Sequence, residues 1–230
     1  MANSGKGNNP PWPKHANPGR VLGVTGHHWQ LLFAIVERKM KEHKTNIVLI
    51  GMPGSGKSTV GVILAKMLAK SYLDTDILIQ NREMRTLQDI VDREGHMALR
   101  RVEERVLLDV DCRDTVIATG GSAAYSEPAM RHLQDIGTVV FLHTELDTLQ
   151  RRVGNYHTRG LAKRPEQSFE DLFAERLQLY RRYAEVVVET SLLSQDEVSE
   201  LIMTRLAKAD RPIGHPTKPA EGCEEREKKR

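Results

Sequence analysis

Cysteine is scarce in this 230-residue chain, aromatic residues make up 5%, and no apolar run approaches the length of a membrane span. The two cysteines, Cys112 and Cys223, lie far apart, and the second sits in a charged tail. Neither a disulfide framework nor metal-ligand spacing follows, so a reducing compartment is expected. Acidic residues are missing until Glu37, but Asn, Pro and Gly fill the gap where a transit peptide would carry Ser and Arg. The apolar h-region of a secretory signal is lacking too, and the reading is cytoplasmic with no membrane partner. Net charge is only +3 with both signs interspersed, too weak a bias for a nucleic-acid partner. A 39% hydrophobic and 28% charged composition suits one soluble α/β domain with trimmings.

Three regions are expected. Residues 1–44 comprise a Gly/Pro/Asn-rich arm and a short amphipathic helix, with Trp29, Leu32, Phe33, Ile35, Val36 and Met40 at helical spacing. Residues 45–207 form the globular domain. Residues 208–230 form a solvated, charged tail. Within the domain, strand-like runs at 46–50, 72–74, 115–118, 138–142 and 186–188 alternate with helical patterns. That alternation predicts a doubly wound five-stranded parallel sheet with ligands at the carboxyl ends of its strands.

The sharpest motif is Gly51-Met-Pro-Gly-Ser-Gly-Lys-Ser58, which matches the phosphate-loop pattern G-x-x-x-x-G-K-[ST] between a buried strand and a helix. Glycines let backbone N–H groups converge on phosphate oxygens, and the following helix directs its positive end at the same anion. Gly51, Gly54, Ser55, Gly56, Lys57, Ser58 and Thr59 are therefore candidate ATP contacts. Lys57 is expected to reach the β- and γ-phosphates, and Ser58 to ligate Mg²⁺.

Further candidates follow along the chain. Leu73-Asp74-Thr75-Asp76 ends the second strand, and strand alternation sends both carboxylates to one side. Such a pair can hold water on Mg²⁺ and take a proton from an attacking hydroxyl. Arg100 opens a helix, Gly120-Gly121 follows the third strand, and Arg176 precedes Leu-Gln-Leu-Tyr180. Basic, glycine-bearing residues from Arg151 to Arg164 suit a lid over about 153–166.

Together these motifs resemble the shikimate kinase family, a nucleoside-monophosphate-kinase-like branch of phosphate-loop folds, over roughly residues 46–190. The resemblance implies an ATP- and Mg²⁺-dependent kinase, expected to be a monomer, acting on a small carboxylic acid: shikimate. By motif it implies Asp76 as hydroxyl contact and general base, and Asp74 as support for Mg²⁺. It likewise implies Arg100, Arg176, Gly120 and Gly121 as substrate contacts, Glu103 as a buttress for Arg100, Arg152 on the adenine, and Arg159 as the lid arginine. The chain departs from the family pattern at Ser122, where a third glycine is usual, and at Leu99, where phenylalanine is usual. Arg159 is followed by Gly-Leu instead of Pro-Leu, and Glu189-Thr-Ser-Leu-Leu replaces a basic-proline adenine loop. Alternative readings are a kinase of another hydroxy acid such as gluconate, a nucleoside monophosphate kinase, or a non-catalytic nucleotide-binding regulator.

Overall fold

Every residue of β1 (Asn46–Ile50) is buried, because a layer of helices covers each face of the strand. Ile47 and Leu49 point to one side, Val48 and Ile50 to the other, as the two-residue period of a strand requires. The computed structural model describes residues 30–36, 44–152, 162–164 and 166–208. Residues 1–29, 37–43 and 209–230 lie outside these, as do residues 153–161, so the arm, the tail and most of the expected lid are not described.

β1 is the middle of a five-stranded sheet completed by β2 (Ser71–Asp74), β3 (Thr115–Ala118), β4 (Gly137–His143) and β5 (Val186–Glu189). The order is β2-β3-β1-β4-β5 and every pairing is parallel. On the face of Ile47 and Leu49 lie α1 (30–36), α2 (Lys57–Met67) and α9 (Gln195–Lys208), packing Val36, Leu64, Ile202 and Met203. The opposite face meets α6 (Glu127–Ile136), α7 (Leu146–Arg152) and α8 (Phe169–Tyr183) through Met130, Leu133, Leu149, Leu172 and Tyr180. A third cluster joins α3 (Thr75–Glu83), α4 (Leu87–Glu94) and α5 (His96–Leu108) around Ile79, Ile90, Leu99 and Val106.

The amino ends of the central strands are tied by Asn46, whose side chain is 1% exposed. Its Nδ2 donates to the carbonyls of Cys112 and Ile136 at 2.7 and 3.0 Å, and its Oδ1 accepts from Thr115 N at 3.0 Å. Gly137 permits this approach: a Cβ there would stand 2.9 Å from Asn46 O. The carboxyl ends do the opposite and open. The chain leaves β1 toward the α2 face, whereas it leaves the adjacent β3 toward the face of Ala123, Ala124 and Met130. That divergence makes the crevice in which a doubly wound sheet binds its ligand.

Sequence and structure differ most clearly after β2. Strand alternation was the expected reason for Asp74 and Asp76 to act together, but the strand stops at Asp74 and α3 starts at Thr75. Asp74 Oδ1 accepts from Asp76 N at 3.0 Å and Ile77 N at 3.4 Å, capping the helix in place of another extended residue.

Asn46→Ala removes the side-chain partner of the Cys112 and Ile136 carbonyls and of the Thr115 N–H at the start of β3. It is expected to lower unfolding stability by about 2–3 kcal/mol, read from the denaturant midpoint. A loss below about 0.5 kcal/mol would mean the three bonds carry little of the sheet's stability.

Candidate active site

The loop between β1 and α2 ends in Gly56, whose left-handed backbone (φ 96°) forms the N-cap of α2. No side chain caps that end, so the first N–H groups of α2 remain free to meet an anion. Ser55 Oγ is buried without a partner. A polar atom orphaned inside the loop and an uncapped helix end fit a bound phosphate chain.

Lys57 is 8% exposed and its Nζ donates to the carbonyls of Gly51 and Met52 at 2.8 and 3.0 Å. Burial, aided by the nearby charge of Arg176, pushes its ammonium down to about 8 against the pull of Asp76 and Asp74. Asp76 is pushed up to about 6, chiefly by loss of water and secondarily by Asp74, with Lys57 opposing. Glu103 from α5 is pushed up to about 7 by burial and by Asp76. Both carboxylates converge on Gly120: a Cβ there would collide with Glu103 Oε1 and stand 2.6 Å from Asp76 Oδ1. Only bare backbone fits between them.

Gly121 is pressed in the same way. An added Cβ would lie 2.7 Å from Arg176 Nη1 and 2.9 Å from Pro53 Cδ. Arg176 is 1% exposed on α8, with Nη2 donating to Ala162 O at 3.1 Å and Nε lacking a partner. Tyr180, one helical turn on, donates to Gly121 O at 2.6 Å and so ties α8 to the loop after β3.

These groups surround a cavity of about 400 Å³ lined by Gly54, Gly56, Lys57, Ser58 and Thr59 on one side and by Asp76, Gly120, Gly121 and Arg176 on the other. Arg152, at the end of α7, lines its rim and donates to Thr190 O at 3.5 Å. Gly51 sits beneath the loop, its added Cβ only 2.7 Å from Leu142 O on β4. Asp74 stands beside Ser58, whose Oγ donates to Asp74 Oδ2 at 2.8 Å. A hydroxyl and a carboxylate next to the phosphate loop form an oxygen donor set that suits Mg²⁺. Arg159 lies outside the described residues.

Arg100 occupies a different position from Arg176. It lines a neighbouring cavity of about 220 Å³, with its guanidinium 3.4 Å from the centroid of the Tyr125 ring and Nη2 donating to Ala162 O at 3.3 Å. The expected buttress from Glu103 to Arg100 is absent. Glu103 Oε2 instead accepts from Ser122 Oγ, and its Oε1 has no partner. Serine in place of glycine brings a donor closer to the carboxylate than the arginine, while the aromatic face holds the arginine elsewhere. Glu103 and Ser122 line both cavities and form the wall between them.

Tyr125 and the Ala162 carbonyl had no signal in the sequence, since each meets its arginine only across distant segments. Helix α3 did have one: an Asp before residues that place Ile79 and Leu78 on an apolar face is an N-cap pattern.

A phosphate loop opening α2 from the central strand of this parallel sheet, with a lysine and carboxylates facing one cavity, defines a phosphate-loop kinase fold. The shikimate kinase family model matches residues 53–207. The shikimate kinase of Mycobacterium ulcerans is 39% identical over 163 residues, covering 69% of this chain and 88% of that protein. That of Nitrosospira multiformis is 34% identical over 169 residues, covering 72% and 87%. Among solved structures, shikimate kinase from Acinetobacter baumannii in complex with shikimate aligns with a TM-score of 0.68 at 32% identity, over 75% of this chain and 98% of that one. The Aquifex aeolicus shikimate kinase gives 0.62 at 33% identity, over 70% and 95%. This chain belongs to the shikimate kinase family.

Gly121→Ala forces a methyl group against Arg176 and the ring of Pro53. We expect a stability loss of about 1–3 kcal/mol, measured by chemical denaturation. Wild-type stability in that variant would show that the loop after β3 has room this geometry denies it.

Proposed function

We propose that the chain transfers the γ-phosphate of ATP to the 3-hydroxyl of shikimate, giving shikimate 3-phosphate and ADP. The observation that carries this reading is Asp76, a carboxylate raised toward neutrality in the same cavity as Lys57 and the phosphate loop. Family membership supplies the acceptor. A gluconate or nucleotide acceptor lacks that support, and a regulator that only binds nucleotide has little use for such a base.

Loop N–H groups and the open end of α2 would bind the triphosphate, with Lys57 leaving the Gly51 and Met52 carbonyls for the β- and γ-phosphate oxygens. Ser58 and Asp74 would hold Mg²⁺, which when bound spreads the charge of the phosphate oxygens. Arg176 would clamp the acceptor carboxylate from beside Gly121, joined by Arg100 if it leaves the Tyr125 face. The acceptor hydroxyl then loses its proton to Asp76 as its oxygen bonds to the γ-phosphorus and the bond to the ADP oxygen breaks. Arg159 and Arg152 would complete the site over the γ-phosphate and the adenine. The reading extends to a cytoplasmic monomer without nucleic-acid or membrane partners. Sparse cysteine and a balanced charge support the compartment and the partner class.

The direct test is ADP release from Mg-ATP with shikimate, quinate, gluconate, homoserine or CMP supplied separately. Turnover confined to shikimate is the expected result; turnover with gluconate or CMP alone would replace the acceptor named here. Asp76→Asn should reduce shikimate turnover by at least about 100-fold while nucleotide binding persists. The sign of the pH effect follows from the raised carboxyl: below about 6 Asp76 is protonated and accepts nothing, so kcat/KM should rise as pH increases through that value. A flat profile between about pH 5 and 7 would remove Asp76 from the role of base.

A further inference from the structure

We propose that Tyr72 is a positioning residue for the metal–nucleotide complex, its hydroxyl holding the Asp74 carboxylate that Ser58 shares, with Gly61 as the gap in α2 that admits its ring. The inference rests on the kinase reading above and assigns a role to a strand residue outside the phosphate loop and the acidic pair.

Tyr72 lies in β2, paired with Val116 of β3. Its ring leaves the sheet toward α2 and meets Gly61, where an added Cβ would stand 2.7 Å from Tyr72 Cε2 and 3.4 Å from Cδ2. Any larger residue at 61 displaces the ring. Wedged there, the ring delivers its hydroxyl to Asp74 Oδ2 at 3.1 Å. Among the described residues, four hydrogen bonds reach the Asp74 carboxylate. Oδ1 accepts from Asp76 N and Ile77 N at the start of α3, and Oδ2 accepts from Ser58 Oγ and Tyr72 Oη.

The Ser58 contact is the one that a metal would perturb, because the same hydroxyl oxygen is its expected ligand. Tyr72 is the partner of Oδ2 that is not itself an expected metal ligand, and its hydroxyl also meets Ser58. A tyrosine phenol, ordinarily titrating at about 10, is protonated and donates throughout the physiological range. A carboxylate fixed in advance loses less freedom when the metal and its waters arrive. Phenylalanine would keep the packing against Gly61 and remove only the hydroxyl, which separates positioning from filling space.

The experiment is calorimetric binding of AMP-PNP to the full chain and to Tyr72→Phe, each with and without Mg²⁺, together with an Mg²⁺ titration of kinase activity. In the unmodified chain Mg²⁺ should tighten AMP-PNP binding. In Tyr72→Phe that tightening should shrink by about 3–10-fold, with metal-free affinity unchanged. The Mg²⁺ concentration for half-activation should rise by the same factor, while kcat at saturating Mg²⁺ and the acceptor KM stay put. Equal Mg²⁺-linked tightening in both proteins overturns the proposal. So does an affinity loss of the same size with and without the metal, which marks a merely structural contact. A full chain that binds Mg²⁺–AMP-PNP but releases no ADP with shikimate refutes the acceptor assignment instead, and the binding comparison still decides the role of Tyr72.

Discussion

Keeping the ammonium of Lys57 out of water beneath the loop after β1 is the constraint on which the site is built. A buried cation is costly unless hydrogen-bonded and paired, and the chain answers with two loop carbonyls, Asp76 and Asp74, while Arg176 opposes. Asp76 shares those dry surroundings and drifts toward neutrality as a result. The charged side chains of the cavity are therefore set by one another. Lys57, Asp76 and Glu103 each carry a shift to which at least one of the others contributes, as expected for ionisable groups enclosed together.

Close packing around bare backbone keeps these charges in register. Gly120 separates Glu103 from Asp76, and Gly121 separates Arg176 from Pro53. Neither position has room for a methyl group. The third member of this stretch, Ser122, adds a hydroxyl in place of another gap and redirects Glu103 away from Arg100. The consequence is an asymmetric pair of arginines, both bound to the Ala162 carbonyl, one enclosed beside Gly121 and one stacked on Tyr125.

Local motifs were read from the sequence most completely where function depends on consecutive residues. The phosphate loop is one segment whose backbone curl, lysine and helix start are all encoded side by side, and Asn46–Ile50 declared its burial by lacking any polar residue after Asn46. The Asp74–Asp76 pair was found for an incomplete reason. Asp74 meets Ser58 and Asp76 lines the cavity, but Asp74 ends a strand and caps a helix while Asp76 enters the cavity from that helix, so strand alternation does not relate them.

The sequence by itself determined the alternating α/β plan, the phosphate loop with Lys57 and Ser58, and the residue types offered to an acceptor, because these depend on period and on contiguous chain. Tertiary structure alone decided that Ser122 takes Glu103, that Arg100 lies on Tyr125, and that Tyr72 reaches Asp74 through the space left by Gly61. Each of these choices is a competition among donors, acceptors and ring faces brought from different elements. Its outcome rests on distances of a few tenths of an ångström, which only the packed sheet and helices fix.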